Sequence, residues 1–204
     1  MLLLTIFMGF IIGMLTNYII FTKEKRREYF IPLVNTFFYV IIFYSSSNYL
    51  EQIYISLLST VFILIAYIDI KEMLISDWFI IAALIISIVY KTLNYILYKQ
   101  NIELRSSIRG MIIPLVIFSI LFFISKGGMG EGDISLAGFI GFILGSDFIM
   151  IAILLAFIVF VIVAAVLYFR FNKDINREIP FAPFLIFAFY VTLLYGDQIL
   201  EIFI

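Results

Sequence analysis

Eight times along the chain an apolar run continues for most of twenty residues before a charged or polar break ends it. A hydrocarbon core about 30 Å thick takes about 20 helical residues to cross, so each run has roughly the length of a transmembrane helix. The runs cover about 2–22, 29–44, 52–68, 78–97, 109–125, 134–149, 149–169 and 180–196. The sixth is short, held between Asp133 and a Gly-Ser-Asp turn at 145–147. Hydrophobic residues make up 65% of the chain and charged ones 13%, where a soluble protein has roughly 45–50% apolar residues. The expected fold is therefore all-α: a polytopic membrane protein with about eight transmembrane helices. It is expected to form one integral membrane domain over 1–204, because no polar stretch is long enough to build a second. The first run is expected to stay as a span. Its basic cluster follows the apolar stretch instead of preceding it, and no small-residue cleavage site is evident.

Basic residues orient the spans. The connection KEKRRE at 23–28 carries Lys23, Lys25, Arg26 and Arg27. If it is cytoplasmic, alternation puts Lys71, Lys126, Arg170, Lys173 and Arg177 on the same side, against Lys91, Lys99, Arg105 and Arg109 on the other. The bias puts both termini outside, in a cell inner or plasma membrane. Trp78 and Tyr18, Tyr67, Tyr90, Tyr168 and Tyr195 fall near span ends, where interfacial rings belong. The many Phe and Tyr residues thus indicate membrane and lipid contact and imply no ligand.

A formal charge of −1 gives no basic surface for nucleic acid. The chain has no Cys, which removes disulfides, thiolate metal sites and Cys nucleophiles. It has no His, so HExxH zinc chemistry, Ser-His catalysis and His-ligated haem also drop out. Hydrolysis would have to rest on carboxylates, Lys, Ser, Thr or Tyr.

Seven of the 11 glycines fall between Gly127 and Gly145, in KGGMGEGDISLAGFIGFILG, and none lies between Gly13 and Gly110. The GGMGEGD half cannot be a stable helix interior, since each glycine there costs about 1 kcal/mol against Ala. In the second half, Gly141 and Gly145 are spaced as a small-xxx-small pair on one helical face, where another helix can approach closely; Phe142 is expected on the outward side. Gly130 and Gly132 flank Glu131 just before Asp133. A carboxylate there meets the free N–H groups of a helix start, as a simple cap after a flexible turn or as a functional group. Asp69 ends the apolar run VFILIAYI on the same side of the membrane. Ionisable residues at such depth are expensive and usually paired or functional, although a helix-end Asp at the headgroups is tolerable.

Two facing carboxylates can share one proton, because like charges at short range do not both ionise easily. The ionised member deprotonates a water, and the protonated one donates to the scissile carbonyl and then assists the leaving amine. This gives amide hydrolysis without His, Cys or metal. A Ser125–Lys126 dyad is disfavoured, since adjacent helical residues point about 100° apart. Asp77 opens the fourth span as a candidate helix cap or a substrate-positioning residue. Glu72 and Glu131 read as solvated, Lys71 and Lys126 as charge placement, and Asp147 and Asp197 as lying on the opposite side.

Four stretches in order resemble the bacterial type IV prepilin leader peptidase family, intramembrane GxGD aspartic peptidases. They are GMLTN at 13–17, DIKEMLISD at 69–77, GMGEGDISL at 128–136 and EIPFAPFL at 178–185. The resemblance implies catalytic aspartates at Asp69 and Asp133, with Asp77 at the later acidic position of the first motif and Gly130, Gly132, Gly141 and Gly145 in support. Met14, Ser76, Ser135 and Ala182 stand where the family commonly has Ser, Pro, Lys and Gly. The cysteine-bearing zinc loop of many longer members has no counterpart at 23–28. Peptide cleavage implies no cofactor. Bifunctional members also methylate the new N-terminus with S-adenosylmethionine, and that second activity stays open here.

The implied substrate is a type IV prepilin or pseudopilin precursor: one apolar helix behind a short basic leader, cut near the cytoplasmic face. Glu72, Asp77 and Glu131 are available to attract that leader. A small ion- or proton-coupled transporter would also fit buried aspartates and clustered glycines, but no repeat connects the two halves of the chain. An inactive scaffold that keeps the packing glycines is the remaining reading. The sequence leaves the oligomeric state open.

Overall fold

The computed structural model describes residues 7, 9–14, 30–45, 48–99, 103–126, 128–170 and 179–203. Most of the first expected span, the basic connection at 23–28, residues 15–17 of the first motif and the segment 171–178 lie outside these residues. Every regular element among the described residues is helical: α1 (Phe30–Ser45), α2 (Tyr49–Glu72), α3 (Asp77–Tyr98), α4 (Leu104–Ile124), α5 (Glu131–Arg170) and α6 (Ala182–Phe203), with residues 9–14 helical as well. The last five are long and apolar enough to cross a bilayer, and Pro32–Ile42 is a shorter apolar helix. The chain is a multi-pass membrane protein. Asp77, expected as a possible cap, is the first residue of α3; Ser76 precedes it and accepts from the Phe79 N–H at 3.1 Å.

The chain divides into two compact units, 1–65 with 82–102, and 66–81 with 103–204. In the first, Leu58, Phe62, Ile65 and Ala83 are fully or almost fully buried. Several polar groups inside this unit are paired, as an apolar solvent favours. Asn35 donates to the Gly9 carbonyl at 3.3 Å, and the Thr60 hydroxyl lies 3.3 Å from Asn35 Oδ1. Tyr54 shares a hydrogen bond with Ser87 at 3.1 Å and stacks on Tyr90 with ring centroids 4.0 Å apart.

In the second unit, α5 is a run of 40 helical residues interrupted at Gly145, where φ is 77° and ψ is 177°. That backbone region is open essentially only to glycine. The Ser146 N–H, released from the helical ladder, donates to Ser106 Oγ on α4 at 3.1 Å. The break makes α5 a hairpin. Asp133 near its start and Tyr168 near its end line the same cavity, whereas a straight helix would hold them about 50 Å apart. The break falls at Gly145, within the Gly-Ser-Asp turn expected at 145–147 and a few residues before the span boundary drawn at 149.

Two further expectations change here. Gly145 leaves the helix, so it does not continue the face of Gly141 as a second helical residue. The close approach expected at these two glycines is made to Gly110 of α4: a Cβ on Gly141 would collide with the Gly110 carbonyl oxygen, and one on Gly110 would collide with the Gly141 carbonyl oxygen and lie 2.6 Å from the Gly145 carbonyl carbon. Phe142, expected to face outward, is buried. All residues from 136 to 142 are buried, so this limb of α5 has no outward face.

Candidate active site

Asp69 lies in the last turn of α2, where its backbone carbonyl accepts from the Met73 N–H at 3.0 Å. The free carbonyls of its own helix make this a poor position for a negative charge. The start of α6 offsets the cost. The Ala182 N–H, one of the unpaired donors of that helix's first turn, donates to Asp69 Oδ2 at 3.1 Å. Phe181 accepts from the Phe184 and Leu185 N–H groups at 3.0 and 3.3 Å, so it flanks the helix and Ala182 is the first helical residue. The Phe181 ring is buried and packs against Phe118, Phe157 and Phe160 at centroid distances of 5.8, 5.3 and 5.4 Å. That packing fixes where the Ala182 N–H points.

Asp133 is in the first turn of α5, and its own N–H donates to the Gly130 carbonyl at 3.1 Å. The space a Gly130 side chain would fill is taken by the Asp133 carboxylate: a Cβ there would lie 3.3 Å from Oδ2. Gly132 presses against the chain that follows Asp69's helix, where a Cβ would lie 2.5 Å from that of Ile75. The glycine before Asp133 thus lets this segment meet the 73–76 connection.

Asp69 and Asp133 expose only 6% and 7% of their surface and line one cavity of about 1090 Å³. Asp133 Oδ1 is buried without a hydrogen-bond partner among the described residues, a state that normally costs free energy. Asp77, Glu131, Gly130 and Gly132 line the same cavity, whereas Gly141 and Gly145 do not. Asp77 and Glu131 are exposed. Phe157, Phe160 and Phe181 supply apolar lining. No basic residue is among the described lining residues, and no group of three or more His, Cys, Asp or Glu is placed to hold a metal among the described residues.

Reading the sequence alone missed three contributors. Gly110 looked like an isolated small residue in an apolar run. Ala182 acts through its backbone. Phe181 belongs to the EIPFAPFL stretch, whose two prolines were the only signal of a shaped helix start.

The fold and the cavity define a multi-pass helical membrane protein with two buried aspartates, from distant parts of the chain, opening on one chamber. The chain belongs to the type IV leader peptidase family, whose pattern matches residues 56–166, more than half of its length. The prepilin leader peptidase/N-methyltransferase of Aeromonas salmonicida is 28% identical over 148 residues, 70% of this chain and 49% of the relative. The protein of the same name from Legionella pneumophila is 27% identical over 176 residues, 83% of this chain and 60% of the relative. That of Pseudomonas aeruginosa is 36% identical over 74 residues, 36% of this chain and 26% of the relative. The chain spans about half the length of most of the curated relatives it matches. No solved structure gives a significant match.

Proposed function

We propose that this protein is an intramembrane aspartic endopeptidase that removes short basic leaders from type IV prepilin or pseudopilin precursors, with Asp69 and Asp133 as the catalytic pair. The observation that carries this reading is the burial of both aspartates on one cavity. The ionised carboxylate takes a proton from water as the oxygen attacks the scissile carbonyl carbon. The protonated carboxyl gives its proton to the carbonyl oxygen. As the tetrahedral species collapses, the C–N bond breaks and the amine leaves with a proton returned from the pair. The partner-free Oδ1 of Asp133 is available to accept from that water.

The site works at the cytoplasmic face of an eight-span protein whose two termini are outside, as the bias of basic residues indicates. Four carboxylates and no basic residue among the described lining groups suit a cationic leader, with Asp77 and Glu131 at the exposed margin. Membrane lipid surrounds the exposed apolar helix faces.

The second activity in the relatives' name makes S-adenosylmethionine a plausible ligand for this chain as well. S-adenosylmethionine carries a carboxylate that would need a cationic or N–H-rich partner, and the described lining residues include no Lys or Arg. Purified protein incubated with prepilins tests the reading: a leader-sized mobility shift is expected, whereas ion flux in proteoliposomes without cleavage would instead favour a transporter.

A further inference from the structure

Given the peptidase reading, we infer that the backbone N–H of Ala182 is a positioning group for Asp69, so that the start of α6 is a working part of the active site. The N–H of a first helical residue has no acceptor within its own helix and normally goes to solvent or a cap. Here it donates to Oδ2 of a carboxylate 113 residues away at 3.1 Å, with both groups buried. One hydrogen bond to one oxygen fixes the carboxylate's rotation about its Cβ–Cγ bond. Oδ2 is then committed to α6 and Oδ1 remains for the chemistry. The Phe181 ring, held among Phe118, Phe157 and Phe160, keeps the donor in place. Phe157 and Phe160 belong to the returning limb of the hairpin whose first limb carries Asp133. One aromatic cluster therefore ties the donor for Asp69 to the element that bears Asp133.

A single substitution removes the donor. Ala182→Pro deletes the N–H at a position where proline suits helix geometry, since its missing donor is one the helix does not use. Ala182→Gly keeps the N–H. The test is cleavage of a purified prepilin by wild type and both variants, with kcat and KM determined separately. Wild type is expected to cleave. Ala182→Pro should lose roughly ten- to a hundredfold in kcat with little change in KM, and Ala182→Gly should stay within about threefold of wild type. Wild-type cleavage with an unimpaired Ala182→Pro overturns the positioning role and leaves the peptidase reading standing. A wild type that cleaves no prepilin overturns both. Because Ala182→Pro could misfold, hydrogen exchange at the Ala182 amide provides a second measurement on the intact protein. The amide should be protected in wild type and exchange at least about tenfold faster in Asp69→Ala. Fast exchange in wild type, or unchanged protection in Asp69→Ala, removes the contact on which the inference stands.

Discussion

Gly132 lies directly against Ile75: a side chain at 132 would place its Cβ 2.5 Å from the Ile75 Cβ and 3.2 Å from the Ile75 carbonyl oxygen. One neighbour precedes Asp133 and the other follows Asp69 by a few residues, so this contact sets how the two aspartate segments meet. Gly132→Ala must push the segments apart, at a cost of about 1–3 kcal/mol for overpacking. Cleavage should fall at least about tenfold while the helical circular dichroism of the variant stays close to that of wild type. Full activity in Gly132→Ala would show that the contact does not govern the site.

Gly110 and Gly141 bring α4 and the first limb of α5 into backbone contact. Even one methyl group at 141 would collide with the Gly110 carbonyl. Gly141→Ala and Gly110→Ala should each lower thermal stability in detergent, by about 1–3 kcal/mol. Met150→Leu, at an exposed position, should change it by less than about 0.5 kcal/mol. Equal melting temperatures for all three would argue against the close interface.

The hairpin in α5 makes a topological prediction. Since the chain has no native cysteine, single cysteines can report sidedness cleanly. Ser76→Cys and Glu131→Cys should react with an impermeant thiol reagent from the cytoplasmic side. Asp147→Cys should react only from outside. Labelling of 131 and 147 from the same side would contradict a limb that crosses the membrane between them.

Asp77 lines the cavity but is exposed and opens α3. Asp77→Asn should therefore keep measurable cleavage, with any loss appearing mainly as a higher KM for precursors with strongly basic leaders. Steady-state kinetics on leaders of differing charge checks this. Complete inactivity would shift the first catalytic role from Asp69 to Asp77.

The spans were legible where charge ends an apolar run. The expected 52–68, 78–97 and 109–125 fall largely within Tyr49–Glu72, Asp77–Tyr98 and Leu104–Ile124; the apolar run marks the membrane-crossing part of each helix, and the helices continue past it, with Glu51, Asp69, Arg105 and Arg109 inside them. The turn at 145–147 was legible for a related reason, since a Gly-Ser-Asp sequence interrupts the run. Packing was less legible. Residues 136–142 are buried on every side, which leaves no polar stripe to orient Phe142, and the Gly110–Gly141 contact pairs residues with no local signal in common. Asp69 and Asp133 stood out because charge is rare at that depth. The group that holds Asp69 is a backbone N–H, and a backbone donor leaves no mark in a sequence.

Cleavage of a purified prepilin in detergent or lipid by Asp69→Asn and Asp133→Asn, beside wild type, tests the two-aspartate site most directly. Asn keeps the size of the side chain but cannot exchange the proton that the reaction requires. Each variant should remain folded and membrane-inserted and show no detectable cleavage under conditions where wild type goes to completion. Substantial cleavage by either folded variant would contradict the assignment of Asp69 and Asp133 as the catalytic pair.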